Sequence, residues 1–321
     1  MKIRVLIVGY DRIGKRVADA VARQSDMVVQ GIVEGDSQRF QMAGRKGYTV
    51  HRVTESQNVI GSDVVVQCME APTVEAATLI HGPQSLHAAP VCFSMLSNAS
   101  EVLHQPVVKM AAPNVTAFAR IAHALRDLGP IRRWHATAIL RCGHASDRGA
   151  GHVDALEPVF TEPAEDREMQ EVLGRVVPSI RLGRVVVPYT HSHLHLMKLD
   201  FAAPVSVEQA LTLLKQAPRI LVGRAKDGWK STAHLQEYCR DAGRLRADRP
   251  ELFFWEESIQ VVRRSLCFMM DVEPEATPVP EIIDAIRVSR IPGVSLLESV
   301  HATDATLGLG SLFAPAATSS L

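Results

Sequence analysis

The sequence lacks a cysteine framework. Its five cysteines, Cys68, Cys92, Cys142, Cys239 and Cys267, are an odd number, and no two of them form a Cys-x-x-Cys pair. Disulfide-bonded secreted domains depend on an even set of paired cysteines. We therefore expect no disulfide framework, and we predict a cytoplasmic protein in a reducing compartment.

Net charge and long apolar runs are also absent. The 35 Lys and Arg residues balance the 35 Asp and Glu residues, so no overall field attracts nucleic acid or an anionic membrane. Apolar runs such as Val5–Val8 are far shorter than the roughly 20 residues that a membrane helix needs. The amino-terminal segment lacks the long apolar core and cleavage site of a signal peptide. We expect a small-molecule substrate, with no nucleic acid and no membrane as partner.

What is present predicts an α/β chain of two domains, since 321 residues with 46% hydrophobic side chains can bury two cores. The first third of the chain alternates buried strands with a helix. The predicted elements are a strand at Lys2–Val8, a turn at Gly9–Arg12, a helix at Ile13–Arg23, and strands at Met27–Val33 and Ser62–Gln67. This order predicts a Rossmann-like dinucleotide-binding domain with a parallel sheet.

The glycine-rich turn of that fold is altered, because the pattern G-x-G-x-x-G falls on Gly9, Asp11 and Gly14. The middle glycine normally lets backbone amides approach a pyrophosphate, whereas the carboxylate of Asp11 adds bulk and repels an anion. Two interpretations stay open: a weakened cofactor site, or a fold kept as a scaffold. The candidate cofactor-binding residues are Gly9, Tyr10, Asp11, Arg12 and Ile13, together with Glu34.

Glu34 follows the second predicted strand, where an acidic side chain usually binds the ribose of the cofactor. A carboxylate there accepts hydrogen bonds from a 2′,3′-diol and repels a 2′-phosphate, so NAD is favoured over NADP. The alternative is that Glu34 and Asp36 are turn residues beside Gly35.

From Arg132 onward the pattern changes to α+β, with a mixed or antiparallel sheet. The predicted strands are Trp134–Leu140, Val185–Val187, Leu194–Phe201, Ile259–Val262 and Leu266–Met270. Ser206 begins a capping box ahead of one helix. Further helices are predicted over Lys230–Leu245 and over Glu281–Ser289, the latter opened by Pro280.

Four segments together resemble the archaeal-type (type II) glyceraldehyde-3-phosphate dehydrogenases. They are GYDRIGKRVADAVARQSDM from Gly9, QMAGRKGY at Gln41–Tyr48, the long block Ala217–Val261, and PEIIDAIRV from Pro280. The resemblance implies a dinucleotide-binding domain over 1–112 and 285–321, with a returning final helix, and a catalytic domain over 113–284. It also implies a homo-oligomer, dimer or tetramer, that oxidises an aldehyde with NAD(P) and phosphate.

The family places its catalytic thiol in a Ser-Cys-Asn-Thr-Thr segment at a helix start. The segment similar to it reads Ala-Ala-Pro-Asn-Val-Thr from Ala111. Asn114 and Thr116 fit the pattern, and Pro113 stands at the cysteine position. Proline suits the first turn of a helix, but it removes both the nucleophile and a backbone N–H. We therefore expect the acyl-enzyme route to be lost.

The family's Pro-Thr-Thr-x-Met-His-x-His region resembles Pro188–His195, and it assigns the catalytic histidine to His193. His191, His193 and His195 alternate, so all three would share one face of a strand. Such a row could bind zinc. We expect no metal, because three alternating strand positions rarely converge on one ion without a fourth ligand.

The family's phosphate-binding Arg-Arg pair is similar to Arg141-Cys142, which leaves one guanidinium to bind an anion. The alternative is a surface arginine that closes a strand. Cys142 and His144 could be a relocated thiol and base, although a loop cysteine is the simpler interpretation. Cys92–Met95 lacks the residues of the family's Gln-Gly-Gly-Glu region.

The resemblance and these departures predict a diverged family member. We expect an NAD-linked oxidoreductase or repurposed enzyme, acting on a small phosphorylated or carboxylated substrate without a thioester. His193 would act as acid and base, with Asn114, Thr116 and Arg141 around it. The alternative is a non-catalytic protein of the same fold that serves binding or assembly.

Overall fold

Seven parallel strands form the first of two sheets. The computed structural model describes residues 2–58, 61–70, 76, 78–83, 92–102, 105–142, 154–160, 163–310 and 312. The strands are β1 (Ile3–Val8), β2 (Met27–Val33), β3 (Val50–His51), β4 (Val64–Gln67), β5 (Thr78–His81), β6 (Cys92–Phe93) and β7 (Val107–Met110), in the order β3-β2-β1-β4-β5-β7-β6. The predicted Rossmann-like sheet is confirmed.

The helices of the described residues pack against both sheets. They are α1 (Gly14–Arg23), α2 (Ser37–Arg45), α3 (Ala99–Val102), α4 (Pro113–Ala124), α5 (Pro163–Leu173), α6 (Val207–Gln216), α7 (Thr232–Asp241), α8 (Val279–Arg290) and α9 (Leu296–Leu307). Every residue from Val279 to Val288 is buried, because α8 packs between α1, α9 and the core of the first sheet. No helix in the described part of the chain is long and apolar enough to cross a membrane.

The second sheet is mixed, as predicted. Its strands are β8 (Ile131–Arg141), β9 (Glu157–Val159), β10 (Ile180–Val187), β11 (His193–Phe201), β12 (Ile220–Gly223), β13 (Leu252–Trp255), β14 (Gln260–Val262) and β15 (Ser265–Val272). They follow the order β12-β13-β15-β11-β8-β10-β9, with β14 paired to β15. Strand β11 buries His195, Met197, Leu199 and Phe201 on the inner face, while Leu196 and Lys198 are exposed on the outer face.

The helix predicted over Lys230–Leu245 is shorter than expected. Ser231 caps α7 by accepting a hydrogen bond from the amide of His234, and the helix ends at Asp241. Gly243 then takes a φ of 75°, a left-handed conformation that closes helices. The capping box at Ser206 is confirmed.

A buried ion network joins α8 to the second sheet. The guanidinium of Arg219 lies 3.0 Å from Glu281 and 2.6 Å from Asp284, and none of these side chains is exposed. Arg120 donates to Glu281 at 3.1 Å, and Asp304 binds Arg219 at 2.7 Å. Burial alone would lower the pKa of Arg219, but the surrounding carboxylates raise it above its usual value.

The division of the chain into domains at residues 112, 113, 284 and 285 stays a prediction.

The carboxyl group of Glu273 makes the stability of the fold depend on pH. Burial, then the nearby carboxylates of Asp271 and Asp248, raise the pKa of Glu273 to about 7, against the effect of Arg249. Because this pKa lies above the usual value of 4.5, protonated Glu273 stabilises the fold, and this contribution is lost as the pH rises through 7.

The wild type should lose this contribution as the pH rises, whereas Glu273→Gln should not. We therefore expect the free energy of unfolding of Glu273→Gln, relative to that of the wild type, to increase by on the order of 2 kcal/mol from pH 5 to pH 8. Urea unfolding of both proteins at the two pH values measures this difference. Glu237→Gln, at an exposed position of α7, is the control. Equal pH dependence in the wild type and Glu273→Gln would contradict the expectation.

Candidate functional site

The turn between β1 and α1 keeps the glycines that a tight strand-to-helix turn requires. Gly9 has a φ of +96°, and a Cβ there would lie 2.8 Å from the side chain of Met69. A Cβ on Gly14 would lie 1.9 Å from the carbonyl oxygen of Gly9. The side chains of Tyr10 and Ile13 are buried in the first core, so only the backbone of these two predicted cofactor residues remains to bind a ligand.

The carboxylate of Asp11 occupies the start of α1. Its Oδ1 accepts hydrogen bonds from the amides of Ile13 at 3.0 Å and Gly14 at 2.8 Å. Burial raises the pKa of Asp11, while these two amides and nearby Arg39 act to lower it. The first amides of a helix are a natural anion site, and here the chain supplies its own anion.

Glu34 is fully buried and already has hydrogen-bond donors on both carboxylate oxygens. Its Oε2 accepts from the amide of Tyr10 at 2.7 Å, and its Oε1 accepts from the amide of Asp36 at 2.8 Å. The guanidinium of Arg39 lies 3.4 Å away. Asp36 itself caps α2 by accepting from the amide of Arg39 at 2.8 Å, which favours the turn interpretation for that residue.

The structure brings His193 and Asn114 together. Helix α4 begins at Pro113, and the next residue places its side-chain oxygen 3.3 Å from Nδ1 of His193 at the start of β11. In the described part of the chain, the backbone N–H groups of Asn114 and Val115 have no hydrogen-bond partner. Thr116 does not join the pair, because its buried hydroxyl donates to the carbonyl oxygen of Ala111.

His193 is neutral at neutral pH, since burial, the neighbouring ring of His195 and Arg141 hold its pKa well below the usual value. His195 is fully buried against Phe118, and burial followed by the charge of Arg184 lowers its pKa to about 3. His191 precedes β11, so the expectation of three imidazoles on one strand face is wrong for that residue. The described residues contain no group of three side chains that could hold a metal ion.

Three glutamates of α5 contact the start of α4 and the neighbouring strand ends. Glu168 accepts from the amide of Ala112 at 2.8 Å, and Glu171 accepts from the amide of Cys92 at 2.6 Å. Glu165 accepts from the side-chain nitrogen of Asn114 at 2.7 Å. Sequence reasoning missed this row, although the spacing of three residues does place the three carboxylates on one helix face.

Arg141 does close strand β8, but its side chain is only 8% exposed. Its guanidinium pairs with the buried carboxylate of Glu275 and donates to the carbonyl oxygen of Thr190 at 3.2 Å. Arg12 approaches the same carboxylate to 3.9 Å. The thiol of Cys142 donates to a backbone carbonyl, and the loop element that it would form with His144 lies outside the described residues.

Known proteins identify the family. The chain is similar to the glyceraldehyde-3-phosphate dehydrogenase of Hyperthermus butylicus, with 31% identity over 96% of this chain and 98% of the relative. The enzyme of that name from Archaeoglobus fulgidus is 30% identical over 98% of this chain and 100% of the relative. The chain belongs to the archaeal-type glyceraldehyde-3-phosphate dehydrogenase family.

A third relative agrees with the assignment to this family. The glyceraldehyde-3-phosphate dehydrogenase of Methanocaldococcus jannaschii is 28% identical over 96% of this chain and 100% of the relative. No protein-family model matches the sequence. Because each alignment spans nearly the full length of both proteins, the glyceraldehyde-3-phosphate dehydrogenase similarity extends over both sheets.

Proposed function

We propose that this member of the glyceraldehyde-3-phosphate dehydrogenase family uses His193 for acid–base chemistry on a small phosphorylated or carboxylated substrate, without a cysteine thioester. The contact between His193 and Asn114 at the start of α4 supports this proposal most directly. A neutral imidazole can take up a proton from a substrate. Pro113, at the position that we assign to the family's cysteine, offers neither a thiol nor an N–H.

Two groups favour an anionic substrate at this place. The backbone amides of Asn114 and Val115, which have no partner among the described residues, lie in the first turn of α4, where a helix binds anions. The positive charge of Arg141 also lowers the pKa of His193, and a guanidinium can bind a phosphate or a carboxylate. Binding there would orient the substrate towards His193.

The name of the relatives implies a nicotinamide dinucleotide cofactor for those proteins. The predicted turn of this chain does not fit a pyrophosphate, because the carboxylate of Asp11 holds the amides that the pyrophosphate would need. Glu34 likewise holds backbone donors instead of facing a ribose. The proposed chemistry therefore includes no hydride transfer, and the preference for NAD over NADP stays a prediction.

A second candidate function is non-catalytic binding or assembly. It is favoured by the internal pairing of Asp11 with the start of α1 and of Arg141 with Glu275. The second sheet also carries apolar side chains that are exposed by 38% at Leu196 and 43% at Met269. Such a surface suits a homo-oligomer, either a dimer or a tetramer.

Deuterium uptake separates the two functions. We expect the wild type to accelerate exchange of the carbon-bound hydrogens of dihydroxyacetone phosphate in D2O, because this probe needs only an anion site and a base. His193→Ala should reduce the accelerated rate by about 100-fold or more. His234→Ala, at an exposed histidine of α7, should leave the rate unchanged.

Nuclear magnetic resonance measures the exchange, and the uncatalysed rate is the baseline. If the wild type and His193→Ala both exchange at that baseline, the acid–base proposal is wrong and the non-catalytic function is favoured.

A further inference from the structure

A chain of hydrogen bonds links α5 to the imidazole of His193. Oε1 of Glu165 lies 2.7 Å from Nδ2 of Asn114, and Oδ1 of that asparagine lies 3.3 Å from Nδ1 of His193. Arg184, whose side chain is 4% exposed, holds the other oxygen of Glu165 at 2.8 Å and binds Asp166 at 2.7 Å. Glu165 is therefore an ionised acceptor in a fixed position.

The first link fixes the orientation of the asparagine amide. An ionised carboxylate only accepts hydrogen bonds, and the NH₂ group is the sole donor of an asparagine side chain. The amide must therefore turn its nitrogen towards Glu165. The opposite orientation would set Oδ1 of Asn114 against a carboxylate oxygen, with two acceptors and no hydrogen between them.

The second link then fixes the tautomer of the histidine. With its nitrogen bound to Glu165, Asn114 presents only its carbonyl oxygen to the ring, and a carbonyl oxygen can only accept. Nδ1 of His193 must therefore carry a hydrogen. A neutral imidazole has one such hydrogen, so Nε2 keeps its lone pair.

The second ring nitrogen is free to act. Among the described residues no group hydrogen-bonds to Nε2 of His193. This nitrogen is also not fully enclosed by the protein. Both ring nitrogens of His195, by contrast, are enclosed and have no partner in the described part of the chain. Of these two imidazoles, only that of His193 offers a reachable lone pair.

We infer that Glu165 is a positioning residue, which acts through Asn114 to hold His193 in the tautomer with hydrogen on Nδ1 and a basic lone pair on Nε2. The use of that lone pair on a substrate rests on the proposed function, whereas the tautomer itself does not. A merely structural Glu165 would tie α5 to α4 and leave the tautomer of His193 unspecified.

Nitrogen-15 resonances of the imidazole rings in the full-length protein report the tautomer directly. In the wild type at pH 7.5 we expect His193 to carry its hydrogen on Nδ1 alone. Glu165→Ala should release the amide of Asn114, and His193 should become a mixture of both tautomers. Glu165→Gln leaves one acceptor oxygen for two donors, Asn114 and Arg184, so it should also weaken the preference for the wild-type tautomer.

Glu171→Ala is the matched control, because Glu171 lies on the same face of α5 and accepts from the amide of Cys92 instead. Its His193 tautomer should equal that of the wild type. If Glu165→Ala does not fold, Asn114→Ala tests the same link and should also give a mixture.

A hydrogen on Nε2 of the wild type would overturn the inference, and so would a Glu165→Ala protein that keeps the wild-type tautomer. Neither result depends on a substrate. A protein with the expected tautomer that does not accelerate deuterium exchange would contradict the proposed function and leave the role of Glu165 intact.

Discussion

Asp11→Gly is expected to raise the affinity for NAD by about 10- to 100-fold, since each charge-assisted hydrogen bond contributes about 1.5–3 kcal/mol. The substitution frees the amides of Ile13 and Gly14 from the carboxylate that they now bind. A pyrophosphate could then accept from the same amides at the start of α1. Isothermal titration calorimetry of the wild type and the variant with NAD measures the change.

Asp11→Asn is the informative control, because it keeps an oxygen acceptor near the two amides and removes the negative charge. It should bind NAD more weakly than Asp11→Gly if occupation of the amides matters as well as repulsion. The glycine variant should lose little stability, only a few tenths of a kcal/mol, because glycine is itself tolerated at a helix start. Wild-type protein that binds NAD as tightly as Asp11→Gly would show that Asp11 does not block the turn.

Arg219→Met is expected to lower the free energy of unfolding by about 3–5 kcal/mol. The substitution leaves the fully buried carboxylates of Glu281 and Asp284 without this guanidinium. An unpaired buried charge is far more costly than the loss of an exposed ion pair. Urea or guanidinium unfolding at neutral pH measures the loss.

Arg224→Met is the control for this loss, because Arg224 forms an exposed pair with Asp227 at 2.7 Å. Its free energy of unfolding should change far less than that of Arg219→Met, because exposed ion pairs contribute little. Equal effects at the two positions would mean that the network around α8 contributes no more than a surface pair.

The parts of the fold that could be predicted from the sequence are those with a clear local pattern of apolar residues. Most apolar residues of β1 and β2 are β-branched, and Gly9 directly follows β1, so the strand–turn–helix order was readable from a short window. The end of α7 was not, because Gly243 interrupts a pattern that otherwise continues to Leu245. One glycine decides that boundary through its left-handed conformation.

The candidate site was readable only in part. His193 and Asn114 were singled out by their resemblance to family motifs, and they do lie together although 79 positions separate them. The sequence did not reveal the glutamates that pair with the residues of the site. Glu165 hydrogen-bonds to Asn114 and Glu275 pairs with Arg141, both from distant segments of the chain. Such long-range contacts leave no periodic signal in a single sequence.

A direct experiment tests our proposal that this chain does not oxidise glyceraldehyde 3-phosphate through a cysteine thioester. Purified wild-type protein is incubated with glyceraldehyde 3-phosphate, NAD and inorganic phosphate, and NADH formation is followed. With Pro113 at the start of α4 and Asp11 on the amides of α1, we expect no rate above that without protein. NADH formation at an enzyme-like rate, with a kcat of about 1 per second or more, would contradict this proposal.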